Sequence, residues 1–410
     1  METIVEHSAG LDIHQGSVVA CTLIGQEGHR PRKELRTFST VTNDLEALRD
    51  WLAGLGVTHV SMESTGVYWK PVYAILEGHF TLIVGNAHHI KVVPGRKTDV
   101  KDAEWIADLV RHGLIKPSFV PPPAIRELRD LVRLRRSLSG ALATERNRTL
   151  KLLETANIKL ASIAADVFGV SGLAMLRALV ENTVSPEAMA NLAKGRLRRK
   201  LQPLARELTG RLTEHHRYLL AFHLRRLAAI EADINELDAR IEENIRPFHA
   251  QRALLRRIPG VDDRIATTII AEIGIDMSVF DNAARLAAWA GICPGNYESA
   301  GRQKKNKARR GNVHLKTALV TAAISAARQK GSYYKDKYRR LKARRGPGRA
   351  AVAIAHKILI AVYNMLATST PFRELGENFL DQQARKRTVA NLVRRLTILG
   401  YGVTLCPRPA

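Results

Sequence analysis

A serine in the last third of the chain stands beside a long run of positive charge. Ser299 lies in the segment Asn296-Tyr297-Glu298-Ser299-Ala300-Gly301. Six basic residues follow within ten positions: Arg302, Lys304, Lys305, Lys307, Arg309 and Arg310. Clustered Arg and Lys are typical of surfaces that hold phosphate, so this hydroxyl could meet a phosphate. A serine in a loop can equally be plain exposed surface, and its function depends on what the rest of the chain supplies.

Four carboxylates in the first part of the chain could supply metal chemistry. Asp12 lies among apolar residues of a predicted strand, and Glu63 ends a second predicted strand. Asp99 and Asp102 are three residues apart, so they share one face of a predicted helix. Carboxylates gathered at one end of a sheet suit one or two hard cations such as Mg²⁺, which can activate and stabilise oxygen atoms in phosphoryl transfer. The alternative is a separate local role for each residue: Asp99 could cap its helix, Asp102 could interact with the helix dipole, and Glu63 could be the exposed end of a strand.

Apolar periodicity and turn residues predict how the first domain, residues 1–120, positions these carboxylates. The predicted order is three strands followed by helix, strand, helix, strand and helix. The predicted bounds are 10–14, 17–24, 35–39, 43–55, 57–62, 67–76, 80–84 and 99–112. This is the element order of a ribonuclease-H-like α/β fold. The basic loop 91–101, which contains Lys97, is either a phosphate contact or a solvated loop.

Residues 121–250 are predicted to form a helical stalk. A charged helix over 124–159 is followed by shorter helices over 161–210, where 196–200 is a basic run. Apolar residues then repeat with spacings of three and four: Leu227, Ile230, Ile234, Leu237 and Ile241. This repeat predicts a short coiled-coil seam. The alternative is a helix that packs on helix 124–159 of its own chain, and both could hold.

Residues 251–370 are predicted to form a mostly helical third domain. Ile258-Pro259-Gly260-Val261 before a helix over 264–273 resembles half of a helix-hairpin-helix, whose amides bind DNA phosphate. Asp262 stands where such a hairpin favours a second glycine, so a plain helix-loop-helix is the alternative. Helices are predicted over 282–290, 313–329 and 350–366, and the last of these is so apolar that it must be buried.

Two further basic segments follow the serine. The run 333–349 adds four candidate nucleic-acid contacts: Arg339, Arg340, Arg344 and Arg345. Residues 371–410 are predicted to be a basic extension with one amphipathic helix, around 385–399.

The overall charge predicts a polyanion as partner. The 410 residues carry a net charge of +25, which favours nucleic acid first and an anionic membrane second. The sequence shows neither a bilayer-spanning apolar run nor a signal-peptide pattern, so we expect a cytoplasmic protein without a membrane partner. Three isolated cysteines indicate a reducing compartment. Aromatic residues make up 5%, which favours binding through the backbone or duplex shape over base stacking.

Taken in order, these motifs resemble the transposases (recombinases) of the bacterial insertion-sequence-110 family. The resemblance runs from about residue 8 to 370 and rests on five stretches: 10–12, 62–66, 97–103, 258–261 and 290–301. Gln15 departs from the family pattern, where a lysine is expected, and Asp262 departs in the hairpin.

The resemblance implies an RNA-guided DNA recombinase, in which a non-coding RNA pairs with target and donor DNA. It implies that Asp12, Glu63, Asp99 and Asp102 hold Mg²⁺, in one or two ions. It also implies that Ser299 attacks the scissile phosphate and forms a covalent serine–DNA intermediate. Family members assemble from dimers to tetramers, with one site built from two subunits, and act on bacterial DNA in the nucleoid.

Two other functions fit the same residues. A metal-dependent junction nuclease would use the four carboxylates and water and form no covalent intermediate. A non-catalytic packaging protein would bind nucleic acid through its charge alone.

Overall fold

The computed structural model divides the chain into two compact units, Met1–Val120 and Pro121–Ala410. It describes residues 2–64, 66–86, 90, 102–293, 298–299, 302–303 and 311–406, with residues 298–299 and 302–303 described by their backbone. The predicted division of residues 121–410 into a stalk, a third domain and an extension stays a prediction.

The first unit is a five-stranded sheet with helices on its faces. The strands are β1 (His7–Ile13), β2 (Ser17–Ile24), β3 (Arg32–Ser39), β4 (His59–Glu63) and β5 (Thr81–Gly85). The helices are α1 (Thr42–Gly54), α2 (Trp69–Leu76) and α3 (Asp102–Arg111). The sheet order is β3-β2-β1-β4-β5; β1, β2 and β3 pair antiparallel, and β1, β4 and β5 pair parallel. The predicted order of the eight elements is therefore confirmed.

Side chains along the central strands alternate between the two faces of the sheet. Ala9 and Leu11 of β1 join Met62 of β4 in the core that includes residues of α1 and α2. The opposite face of β1 carries Gly10, where an added Cβ would lie 2.2 Å from the carbonyl oxygen of Ala103 in α3. Only a residue without a side chain permits this approach, so Gly10 allows α3 to pack directly on β1.

Several strand ends differ from the predictions by one to three residues: β1, predicted over 10–14, runs from His7 to Ile13, and β4, predicted over 57–62, runs from His59 to Glu63. Strand β3 was predicted to begin at residue 35, but it begins at Arg32. The first three residues were missed because they are charged and mostly exposed on an edge strand. Such residues lack the apolar alternation that predicts a strand, yet β3 pairs with β2 along its whole length. Asp12 was predicted to be mid-strand, but it is the penultimate residue of β1 and is partly exposed.

The second unit is mostly helical. The helices of its first half are α4 (Pro123–Thr155), α5 (Leu160–Ile163), α6 (Val170–Glu181), α7 (Pro186–Ala190), α8 (Leu201–Leu208) and α9 (Glu214–Ile245). Those of its second half are α10 (His249–Leu255), α11 (Asp263–Ile273), α12 (Ala283–Trp289), α13 (Val313–Ala326), α14 (Tyr333–Arg345), α15 (Pro347–Thr368), α16 (Phe379–Gln383) and α17 (Arg385–Ile398). Two-residue strands β6 (Glu298–Ser299) and β7 (Arg302–Gln303) pair between α12 and α13.

The stalk is an antiparallel pair of long helices, α4 and α9. Arg135 forms two hydrogen bonds of 2.6 and 3.0 Å with the carboxylate of Asp238, and Arg146 lies 2.9 Å from Glu231. In the predicted seam, Leu227, Ile234 and Ile241 are buried within the chain. The intrachain alternative therefore describes this helix, and pairing between subunits stays a prediction.

Residues 156–213 form a helical insertion between the two stalk helices, with a core of its own. Fifteen of its sixteen buried members come from residues 153–208, and Leu220 of α9 completes it. The backbone N–H of Arg211 donates to the carbonyl oxygen of Ala156, which joins the two ends of the insertion.

Helix α15 confirms the predicted apolar helix, with one face buried. Its buried residues are Ala350, Ala351, Ile354, Ala355, Ile358, Leu359, Val362 and Met365. By length and composition α15 could cross a membrane, so the prediction that no apolar run is long enough to do so was wrong; it is the one such helix in the described part of the chain. Half of its most apolar stretch is buried inside the protein.

Candidate active site

The pairing of β1 with β4 brings two of the predicted carboxylates to neighbouring positions. Leu11 pairs with Met62, so the next residues, Asp12 and Glu63, follow side by side at the carboxyl ends of two parallel strands. Side chains alternate along a strand, which places Asp12 on the same face as Gly10. This is the face that α3 covers.

Helix α3 places a third predicted carboxylate at the same end of the sheet. The hydroxyl of Ser8 donates to the carbonyl oxygen of Ala107, and Gly10 abuts Ala103. The helix therefore runs opposite to β1, and its first residue, Asp102, lies toward the end of the strand that carries Asp12. Asp99 and Lys97 lie outside the described residues.

The described residues do not gather these carboxylates into a complete metal site. Within them, no group of three or more His, Cys, Asp or Glu side chains is arranged to hold a metal ion. The donor chemistry fits Mg²⁺, because carboxylate oxygens are the ligands that this ion prefers. His14, which was not predicted as a site residue, places Nε2 3.2 Å from Oδ2 of Asp12. Its spacing of two from Asp12 was the available signal.

Ser299 lies in a short hairpin rather than in an open loop. It pairs with Arg302 across β6 and β7. The predicted contacts Lys304, Lys305, Lys307, Arg309 and Arg310 lie outside the described residues. The hairpin thus places the serine directly opposite the first residue of the basic run.

The two ends of the serine segment, residues 292–310, are held together. A Cβ added to Gly311 would lie 2.4 Å from the backbone nitrogen of Gly291 and 2.5 Å from the carbonyl carbon of Ala290. The Nζ of Lys316 also donates to the carbonyl oxygen of Gly291 over 3.3 Å. We call this contact between residues 290–291 and 311 the neck. It fixes where the serine segment leaves and rejoins the helices.

A buried carboxylate anchors the neck to the stalk. Glu272 of α11 is fully buried and accepts two hydrogen bonds from Arg133 of α4, at 2.8 and 2.7 Å. Glu272 also accepts a 2.6 Å hydrogen bond from Asn312, whose own side-chain oxygen caps the start of α13. Arg129 donates to the backbone carbonyl of Glu272 over 2.7 Å. One carboxylate therefore connects α4, α11 and the residue that follows the neck.

These contacts set the charge states of the cluster. Burial alone raises the pKa of Glu272, but hydrogen bonds from Arg133 and Asn312 outweigh it and hold that pKa below its ordinary value. Burial lowers the pKa of Arg129 to about 10, which leaves the guanidinium charged at neutral pH. Glu272 was not predicted from the sequence. Its signal was an acidic residue alone in the apolar stretch 265–275.

The second basic run contains two kinds of arginine. Arg339, Arg344 and Arg345 of α14 are exposed. The guanidinium of Arg340 is instead bound by two carboxylates, Asp336 at 2.8 Å and Asp381 at 2.6 Å. Arg340 thus connects α14 to α16, and the nucleic-acid contact expected of it stays a prediction.

The predicted hairpin at 258–261 has a packing role. Gly260 has a φ of +83°, and a Cβ there would lie 2.3 Å from the carbonyl oxygen of Ala322 in α13. Asp262 caps α11, because its Oδ1 accepts a 2.8 Å hydrogen bond from the backbone of Ile265. The residue that departs from the hairpin pattern therefore has a local function, and DNA contact here stays a prediction.

Comparison with known proteins matches two regions of the chain to transposase families, one that contains the carboxylates and one that contains Ser299. Residues 9–158 match the model of the IS110-type DEDD transposase domain, described as "Transposase". Residues 252–339, which include the serine segment, match the model "Transposase IS116/IS110/IS902 family", and the two matches cover more than half of the chain. The "Insertion element IS900 uncharacterized 42 kDa protein" of Mycobacterium paratuberculosis is 27% identical over 322 residues, which are 70% of this chain and 78% of that protein. The chain therefore belongs to the IS110 family of transposases and is a DNA transposase.

Proposed function

We propose that this transposase cuts and exchanges DNA strands through a covalent bond between Ser299 and DNA. The observation that supports it most is the neck, because a nucleophile must be held in a fixed position to react. A serine segment whose ends meet at Gly291 and Gly311, anchored through Asn312 to buried Glu272, meets that need.

The proposed step exchanges one phosphodiester for another. The Oγ of Ser299 forms a bond to phosphorus while the bond from phosphorus to one deoxyribose oxygen breaks. The serine proton leaves, and the departing oxygen takes up a proton. No oxidant or energy-rich cofactor is needed, and reversal of the step on another DNA end rejoins the strands. Arg302, opposite Ser299, belongs to the basic run that would attract the phosphate.

We also infer that Asp12, Glu63, Asp99 and Asp102 hold Mg²⁺. When bound, Mg²⁺ would offset the charge of the reacting phosphate and stabilise its oxygens. The chain's contribution is to offer the carboxylates: β1 and β4 present Asp12 and Glu63 side by side, and α3 begins at Asp102. The sheet order, with three antiparallel strands and two added parallel ones, supports a ribonuclease-H-like domain.

A guide RNA and an oligomer belong to the same proposal. We infer that a non-coding RNA supplies sequence recognition, since the chain is rich in cations and poor in aromatic residues. RNA released by phenol from purified enzyme, and absent after ribonuclease treatment, would test this. We further infer a homo-oligomer in the bacterial cytoplasm, a dimer that forms a tetramer on DNA, which light scattering with and without DNA would measure.

The mechanism is tested on a denaturing gel. The enzyme, expressed with the non-coding DNA of its element, is incubated with labelled element-junction DNA and Mg²⁺. We expect a labelled band shifted by the mass of the protein, which survives denaturant and is absent for Ser299→Ala. Ser325→Ala, an exposed serine on α13, is the matched control and should keep the band.

Two results would contradict the proposal. Cleaved DNA without a protein adduct would indicate a metal-dependent nuclease in which water is the nucleophile. Normal strand exchange by Ser299→Ala would exclude Ser299 as the nucleophile.

A further inference from the structure

The second unit uses its cations in two different ways. In the stalk, arginines are bound by carboxylates, as Arg135 is by Asp238 and Arg146 by Glu231. The insertion instead carries five exposed cations in seven residues: Lys194, Arg196, Arg198, Arg199 and Lys200. Within the described part of the chain, none of these five forms an ion pair. We call them the insertion patch.

The insertion patch is held on a folded base. Four of its five cations lie in a 3-10 helix, Gly195–Lys200, that continues into α8, where Leu204 and Leu208 are buried in the insertion core. The backbone N–H of Lys194 donates to the hydroxyl of Ser171 at the start of α6 over 2.9 Å. Five like charges on a fixed backbone repel one another, and a polyanion removes that cost.

The composition of the insertion favours a duplex over a single strand as the bound nucleic acid. Its one aromatic residue, Phe168, is half-buried, and Arg146 of the stalk stacks on its ring at 5.4 Å. The insertion therefore lacks the exposed aromatic rings on which single-stranded bases stack. Exposed Arg and Lys without such rings suit the phosphate backbone of a duplex.

Helix α4 separates the start of the insertion from Arg133, which anchors the neck. Arg133 anchors the neck through Glu272, and the insertion begins just beyond Thr155, the last residue of the same helix. At 1.5 Å per residue, the helix advances roughly 33 Å from Arg133 to Thr155. One turn of B-form DNA spans about 34 Å, or roughly ten base pairs.

We propose that the insertion patch is a second contact with the backbone of duplex DNA, on DNA that flanks the strand-exchange site toward the end of α4 that lies away from the neck. The contact needs only that the enzyme binds DNA; its position relative to the cut rests on the proposed role of Ser299. The patch would hold DNA flanking the cut, independently of sequence.

Equilibrium binding to two lengths of DNA tests this proposal. Fluorescent duplexes carry the element junction with about 25 or about 6 base pairs on each side, so that only the longer one reaches one turn away. Mg²⁺ is left out, so binding is measured without cleavage. The triple variant Arg196→Gln, Arg198→Gln, Arg199→Gln is compared with wild type across a series of salt concentrations.

The control variant removes three exposed arginines that carboxylates already bind. It combines Arg32→Gln, Arg240→Gln and Arg285→Gln, whose partners are Glu34, Glu243 and Asp281. Both variants lose three positive charges, so a difference in DNA affinity between them depends on where those charges lie on the protein. Thermal unfolding of each should match wild type closely, because surface changes of this kind alter stability by only about 0.5 kcal/mol.

On the long duplex we expect the slope of log affinity against log salt to shrink by about 2 to 3 units for the insertion variant, with on the order of tenfold weaker binding. On the short duplex it should match wild type, and the control variant should match wild type on both. An unchanged slope on the long duplex, or equal losses on both lengths, would overturn the proposal. A loss on an RNA duplex but not on DNA would reassign the patch to RNA.

Because no cleavage is measured, this test is separate from that of Ser299. A serine that forms no adduct would leave the binding difference in place. An absent binding difference would leave the adduct untouched.

Discussion

The two sets of candidate catalytic residues, the carboxylates and the serine segment, are positioned by different kinds of structure. In the first unit, the pairing of β1 with β4 and one helix contact at Gly10 place the carboxylates. In the second unit, the serine segment is positioned at its ends, by the neck and by buried Glu272. The first arrangement is repetitive backbone geometry, and the second is a set of individual side-chain contacts. The first should tolerate surface changes, whereas the second should depend on single residues.

The largest expected effect is on catalysis and concerns the carboxylates. Asp12→Asn removes a charge at the predicted metal site, and we expect strand cleavage to fall about a thousandfold, since metal-based charge stabilisation contributes several kcal/mol. DNA affinity should be unchanged or slightly higher. Glu27→Gln, an exposed carboxylate in the same unit, is the control. Cleavage at the wild-type rate by Asp12→Asn would show that the carboxylate of Asp12 is not needed for strand cleavage.

The next effect tests the dependence of the neck on one side chain. Glu272→Gln leaves Arg133 and Arg129 without their buried counter-charge, and we expect the free energy of unfolding to fall by about 3 kcal/mol. Glu231→Gln removes the carboxylate of the half-exposed pair with Arg146 and should cost less than about 1 kcal/mol. Urea unfolding of both variants measures the difference. Equal costs would mean that burial does not distinguish the two pairs.

A smaller loss is expected from crowding the helix contact of the sheet. Gly10→Ala places a Cβ against the backbone of α3, and overpacking of this kind destabilises by about 2 kcal/mol. Gly16→Ala is the matched control, because an added Cβ there has no neighbour within 4 Å. The urea midpoint should fall for Gly10→Ala and stay near wild type for Gly16→Ala. If both variants unfold alike, α3 does not depend on the close approach.

The smallest effect is one of pH. The pKa of Glu272 is held below its ordinary value of 4.5, so its charge stabilises the folded state above that pH and stops doing so as pH falls through the lowered value. The stability gap between wild type and Glu272→Gln should therefore be full at pH 6 and shrink below about pH 4.5. Urea midpoints over this range measure it. A gap that widens in acid would contradict the assignment of charge to Glu272.

The sequence predicted the parts of the molecule that repeat and missed those that depend on single contacts. Alternation and turn residues were enough to predict the order of strands and helices before residue 112. The early start of β3 was missed because charged edge residues carry no apolar period. The role of Glu272 was missed because a buried carboxylate is recognised by its partners, and Arg133 lies 139 residues away along the chain.

The candidate site divides in the same way. The spacing of residues suggested Asp12, Glu63 and Asp102, and the register of β1 with β4 places the first two side by side. The local pairs of His14 with Asp12 and of Arg340 with Asp336 were present in the sequence spacing but were not predicted. The second partner of Arg340, Asp381, follows from tertiary packing, which local patterns do not contain.

The insertion also has a consequence for how the chain folds. Stalk residues Arg146 and Glu231 are separated by 85 positions, and joining them through a disordered loop would cost considerable chain entropy. The insertion has its own core and joins its two ends at Ala156 and Arg211. If the insertion folds first, the loop that connects the two stalk helices becomes effectively short. The helices can then pair progressively, starting at the end nearest the insertion. Replacing the insertion with a flexible linker of the same length should therefore slow folding of the stalk.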